Sequence, residues 1–165
     1  MEKLLFRVYK SKRVNLSLKI ISSLSVLLSV LSYCALLFLS FYNSIYEGIS
    51  VLLSAALPFF AVGFVRMMID APRPYELYDF YETKPKERAG RSFPSRHAYS
   101  VFVIATIAYF YSIPFGIGLT LLGIALSVSR VLLGIHFIRD VVCGAIIGVV
   151  SGLVGSFFMI LPNIT

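Results

Sequence analysis

The sequence predicts an all-α fold: a polytopic membrane bundle of about five transmembrane helices, with a short interfacial helix at the N-terminus. Three observations carry that expectation. The chain is 58% hydrophobic, well above a soluble domain. Its charges are gathered rather than spread: Glu47 is the sole formal charge from 20 to 65, and the stretches 98–129 and 141–165 carry none. Uncharged runs of that length read as membrane spans, since about 20 apolar residues cross a hydrocarbon core of roughly 30 Å. A length of 165 residues suits one domain, 1–165.

Taken in order, residues 1–17 form a basic interfacial segment. Lys3, Arg7, Lys10, Lys12 and Arg13 reach for head groups while Leu4, Leu5, Phe6 and Val8 enter the lipid boundary. The apolar stretch that follows is too long for a signal peptide and lacks a small-residue cleavage site, so it reads as a retained first span, 18–42. Ser22, Ser25, Ser29 and Ser32 share one face of it. Small polar residues there pack inside the bundle, or else form the seam of a homodimer. The second span is 49–69. A polar loop, 70–95, follows, in which Tyr75, Tyr78 and Tyr81 read either as interfacial anchors or as a lid over a lipid site. Spans 96–113 and 115–133 come next, and the last is 137–161. Gly144, Gly148 and Gly152 recur every fourth residue on it, which lets another helix approach closely.

This order puts the N-terminal segment, the 70–95 loop and the 134–135 junction on one side of the membrane, and with them all 15 Lys and Arg. The charge bias favours the cytoplasm for that side. A net charge of +7 is accounted for by span-flanking residues. No groove of interleaved basic and aromatic residues suggests nucleic acid. Cys34 and Cys143 lie in apolar runs with no Cys/His cluster, so a zinc site is not expected and both read as packing residues.

Ionisable groups at span ends are costly to bury and mark function. Three clusters stand on the shared side: RMMIDAPRP from Arg66 to Pro74, PSRH from Pro94 to His97, and SRVLLGIHFIRD from Ser129 to Asp140. Both histidines of the chain, His97 and His136, fall in these clusters beside arginines. Arg66, Arg73, Arg96 and Arg130 exceed the carboxylates near them, and an uncompensated guanidinium cluster suits an anion such as phosphate. Ser95 is a good N-cap, so the third span should start at Arg96 and aim backbone N–H groups at the site. Asp140, four residues after His136, can fix the imidazole's tautomer and leave the other nitrogen to attack. His97 is then the acid for the departing oxygen. Arginines can neutralise the charge that a metal often neutralises, and no carboxylate-rich metal site is visible.

The combination resembles the type 2 phosphatidic acid phosphatase superfamily, which includes lipid phosphatases, glucose-6-phosphatase and vanadium haloperoxidases. Its motifs KxxxxxxRP, PSGH and SRxxxxxHxxxD are matched here by Arg66 to Pro74, by Pro94-Ser95-Arg96-His97, and by Ser129-Arg130 with His136 and Asp140. The resemblance implies that His136 forms a phosphohistidine, Asp140 orients it and His97 protonates the leaving group. It also implies that Arg66, Arg73, Ser95 and Arg130 hold the phosphate with the backbone N–H of Arg96, and that no metal cofactor is needed. Arg66 stands in place of the motif Lys, and Arg96 in place of the motif Gly, adding a cation that reaches a second phosphate, an acidic head group or solvent. Membrane members of the family typically have six spans with an outward site, which opposes the charge bias.

The function expected is hydrolysis of a phosphomonoester or pyrophosphate on a phospholipid or polyprenyl phosphate. Undecaprenyl pyrophosphate, phosphatidylglycerol phosphate and phosphatidic acid are candidates. A lipid-to-lipid phosphotransferase would use the same site. A non-catalytic anion carrier would place its groups near mid-membrane and leave both histidines unexplained.

Overall fold

The computed structural model describes residues 2–78, 80 and 89–160. Among them every regular element is a helix: α1 Glu2–Lys10, α2 Lys12–Asn43, α3 Ile45–Ile69, α4 Pro74–Leu77, α5 Arg96–Tyr111, α6 Ile113–Leu132 and α7 Ile138–Ile160. Tyr81 and the expected end of the last span at 161 lie outside the described residues.

Single extended residues reverse the chain. Ser44, at φ −161°, closes α2 by donating its amide to Ser40 O and opens α3 by accepting from the Tyr46 amide. Ser112, at φ −160°, closes α5 by donating its amide to Ala108 O and opens α6 without a side-chain cap bond, and Pro114 sits in the first turn, where no amide is needed. In each case the joined helices then pack along one another.

α5 is the centre. Residues 103–108 are buried on every side, and α7, α6, α3 and α2 surround the helix. Its 16 residues rise about 24 Å, less than a bilayer core. Among the described residues α2, α3 with α4, α6 and α7 are each long and apolar enough to cross a membrane, and α5, on the expected span 96–113, ends at Tyr111 and is enclosed by protein rather than lipid. The outer helices are reversed in polarity, with Leu24, Leu28, Leu31, Leu121, Val150 and Phe157 all exposed to where lipid tails lie.

Close helix approach decides the packing. Carbons added at Gly148 and Gly152 would lie 2.5 Å from Tyr99 O and 2.6 Å from Thr106 Cβ, and one at Gly144 would run into Ser95 O. The glycine stripe of α7 is thus the seat of α5, as its spacing predicts. On the serine face of α2, Ser22, Ser25 and Ser29 are buried within the chain and Ser32 is half-buried. Pro58 within α3 lacks the amide that would bond Ser54 O. The buried Tyr99 hydroxyl donates into that gap, 2.6 Å to Ala55 O and 3.4 Å to Ser54 O.

α1 folds back on α2 and α6, burying Leu5 and Val8 while Leu4 and Phe6 stay exposed. The Phe6 ring meets Phe80 edge-on at 5.5 Å, so the N-terminus and the polar loop share one end of the bundle. α2 begins at Lys12 rather than 18, carrying Lys12, Arg13 and Lys19 on its first turns.

Candidate active site

Three chain reversals build the site at that end. The first is the close of α6. Gly134, at φ 70°, donates to Val131 O at 3.0 Å, and Ile135 donates to Arg130 O at 3.0 Å. This is the paired C-terminal bond pattern that a left-handed glycine permits. It delivers His136 directly after the turn, so His136 precedes α7 instead of lying on its surface. Asp140 sits in the first turn of α7, and its carboxylate accepts from the Phe137 amide at 2.9 Å, capping the helix.

The second reversal is the start of α5. It begins at Arg96 as the sequence predicts, and Ser95 Oγ accepts from the Ala98 amide at 3.4 Å. The Ser95 amide donates to Asp140 O at 2.9 Å, which ties α5 to α7. The third is the loop after α3. Asp70, at φ 42°, ends the helix, and the Ser92 amide returns to Ala71 O at 2.9 Å. The Tyr75 amide reaches Gly134 O at 3.1 Å. Tyr75 is buried in this framework, so it is neither a lid nor an interfacial anchor. Tyr78 is half-buried and stacks on Phe80.

Together these bring His97, His136, Arg66, Arg73 and Arg96 to the wall of one cavity of about 410 Å³. Arg66 is held by Pro94 O at 2.7 Å and Ser92 O at 3.4 Å. Arg73 donates from Nε to Gly90 O at 3.0 Å and from Nη1 to Ile135 O at 3.3 Å. Two expected residues stand off that wall. Ser95 is fully buried and serves the helix cap. Arg130 lies 3.1 Å from His97 Nε2. A guanidinium only donates, so this contact makes Nε2 the acceptor and puts the neutral ring's proton on Nδ1.

His136 is buried, with Nδ1 turned 3.6 Å from Asp140 Oδ2. That is ion-pair rather than hydrogen-bond distance. Ser92 fills the gap, lying 3.4 Å from His136 Nδ1 and donating to Asp140 Oδ2 at 2.5 Å. With Nδ1 occupied on that side, Nε2 is the nitrogen left for the cavity. Burial pushes the His136 pKa below the usual imidazole value; the Arg73 and Arg66 guanidiniums push the same way, and Asp140 opposes them.

Sequence reasoning missed Ser92 and Arg91, because nothing in their spacing marks them; folding alone brings Ser92 under His136. It also missed the apolar side of the cavity, made by Phe59, Phe60, Gly63, Phe64 and Met67 of α3. Among the described residues no three of His, Cys, Asp and Glu come together as metal ligands.

The PAP2 superfamily model matches residues 47–160, which contain all three motifs. The chain belongs to the PAP2 superfamily. Its fold is shared with two solved structures. One is LpxE from Aquifex aeolicus, with TM-score 0.69 and 23% identity over 93% of each chain. The other is a transmembrane PAP2-type phosphatidylglycerolphosphate phosphatase from Bacillus subtilis, with TM-score 0.71 and 20% identity over 95% of this chain and 83% of that one. At those identities the likeness is one of fold. No curated protein matches the sequence significantly. PAP2 membership and the apolar helices make this a multi-pass membrane protein.

Proposed function

We propose that this PAP2 protein is a lipid phosphatase that works through a phosphohistidine on His136 without a metal ion. The observation that carries the reading is the shared cavity: both histidines and the Arg66 and Arg73 guanidiniums line one space whose other side is the exposed apolar face of α3. A phosphate can sit against the ionic side while its hydrocarbon tail stays in lipid.

In this reading Arg66, Arg73 and Arg130 bind the phosphate, and Ser95 holds the first turn of α5 so that its backbone N–H groups face the anion. His136 Nε2 attacks phosphorus as the P–O bond to the lipid breaks, and the lipid oxygen takes a proton from His97. Arriving phosphate supplies the negative charge that moves Arg130 away from His97 and raises the proton affinity of that ring. Water then attacks the phosphohistidine, giving its proton to His97 and releasing orthophosphate. Guanidiniums neutralise the equatorial charge, so positioning and electrostatics supply most of the acceleration.

The test is phosphate release from lipid phosphates by purified protein in detergent, with EDTA present. Turnover should persist in EDTA, vanish in His136→Ala and fall about 10²–10⁴-fold in His97→Ala. Turnover that survives His136→Ala refutes the assigned nucleophile. The finer location belongs to the proposal too: the charge bias supports a cytoplasmic site.

A further inference from the structure

Four guanidiniums line the cavity, and two of them, Arg91 and Arg96, are not needed to frame the histidines. Arg66 and Arg73 are bound to backbone carbonyls of the loop and the α6 turn. Arg91 instead faces Asp70 at 3.9 Å, a carboxylate whose side chain is 67% exposed. An exposed pair of that kind contributes little. Arg96 lies 5.5 Å over the Phe59 ring, and among the described residues no carboxylate pairs with it.

Both are nevertheless placed. Arg91 takes φ 54° beside Gly90 at φ 66°. A non-glycine residue there costs about 1–3 kcal/mol and persists where its surroundings impose it. Here the Gly90 amide donates to Glu76 Oε1 at 2.7 Å, Gly90 O accepts from Arg73, and the Ser92 amide donates to Ala71 O. Arg96 stands at the seam between the two sides of the cavity: it belongs to the ionic wall, while Phe59 opens the apolar wall of α3. Phe60, Phe64 and Met67 on that wall are exposed, and a carbon added at Gly63 meets nothing within 4 Å. The ionic and apolar walls of the cavity thus meet where Arg96 lies over Phe59.

We propose that Arg91 and Arg96 form a second anion subsite, which holds a second phosphate joined to the one transferred, so that the preferred substrate is a lipid diphosphate. This rests on the phosphatase reading above. A phosphomonoester brings a charge of about −1.5 to −2, which with Asp70 beside Arg91 still leaves the four guanidiniums under-neutralised. A bridged second phosphate adds charge and the paired oxygens that guanidinium forks match. His136 Nε2 bonds the terminal phosphorus, and the bridging P–O bond breaks with its electron pair. The departing lipid monophosphate takes the His97 proton, and its developing charge falls against Arg96 and Arg91. Water then frees orthophosphate from His136.

Two arms test this. In the first, the full-length His136→Ala protein is titrated by calorimetry with orthophosphate and with methylenediphosphonate. The diphosphonate should bind about tenfold tighter, the worth of one good charge-assisted contact. Arg96→Gly and Arg91→Asn should each remove most of that advantage, and Arg96→Lys should keep most of it. Asn tolerates the left-handed backbone at Arg91. Equal binding of the two probes, or an advantage that survives both substitutions, overturns the subsite. In the second arm the wild-type enzyme is compared on farnesyl diphosphate, farnesyl monophosphate and inorganic pyrophosphate. The lipid diphosphate should have the highest kcat/KM, and Arg96→Gly should erase its lead over the monophosphate. A lead for inorganic pyrophosphate overturns the lipid assignment. Phosphate release from none of the three, with the binding preference intact, refutes the phosphatase reading and supports the subsite.

Discussion

Ser92 Oγ touches both His136 and Asp140 from the loop that Arg66 and Arg73 pin down. Its proton is committed to the carboxylate, so its lone pairs face the imidazole. That makes it a positioning residue for the nucleophile. Hydrogen bonds to charged groups contribute roughly 1.5–3 kcal/mol, so Ser92→Ala should lower kcat about ten- to hundredfold with KM little changed. Ser92→Thr, which keeps the hydroxyl, should recover part of the loss; equal losses in both variants would mark a merely structural role. The pH profile follows from the same pocket. The neutral imidazole is the nucleophile, and burial lowers its pKa from the ordinary 6.5. Activity should therefore persist as pH falls past the ordinary value and fail only below it. Asp140 is an influence that raises this pKa, so Asp140→Asn should move the acid limb of kcat/KM to still lower pH while kcat drops. An acid limb that moves upward in Asp140→Asn contradicts the assignment.

Among the helices, the contact of α7 with α5 carries the site, because Ser95 bonds Asp140 across it. Gly148 lets the two backbones meet: an added carbon there would stand 2.5 Å from Tyr99 O. Overpacking of that kind costs about 1–3 kcal/mol. Gly148→Ala should lower the thermal midpoint in detergent by several degrees, at roughly 2–4 °C per kcal/mol for a chain of this size. Gly63 is the internal control. Nothing lies within 4 Å of a carbon added there, and Ala in place of Gly inside a helix gains roughly 0.5–1 kcal/mol. Gly63→Ala should leave the midpoint unchanged or raised. Melting curves of the two variants decide it, and a lowered midpoint in Gly63→Ala would mean that the space beside Gly63 is not open.

For the molecule in its bilayer, the basic N-terminal helix, the loop and the site share one end, joined by Phe6 on Phe80. Positive charge gathered on one side of short spans favours the cytoplasm. With Cys34 and Cys143 replaced by Ala, a Cys at the exposed Leu77 should resist membrane-impermeant thiol reagents in intact cells and react once the cells are opened. Labelling of intact cells would place the site outside.

The membrane, the helical class, the two histidines and the motif arginines were legible from residue order, because hydrophobic length and the spacing of charged residues are local properties. The α7 glycines and the Ser95 cap were legible for the same reason: helical period and capping chemistry act within a few residues. Ser92, Arg91 and the α3 wall were not, since their meaning comes from contacts across long stretches of chain. That α5 is the helix sheathed in protein was not legible, because apolar length cannot tell a helix sheathed in protein from one sheathed in lipid. That distinction arises when the other helices close around it. The same closure sets Nδ1 of His136 against Ser92 and Asp140 and leaves Nε2 for the cavity.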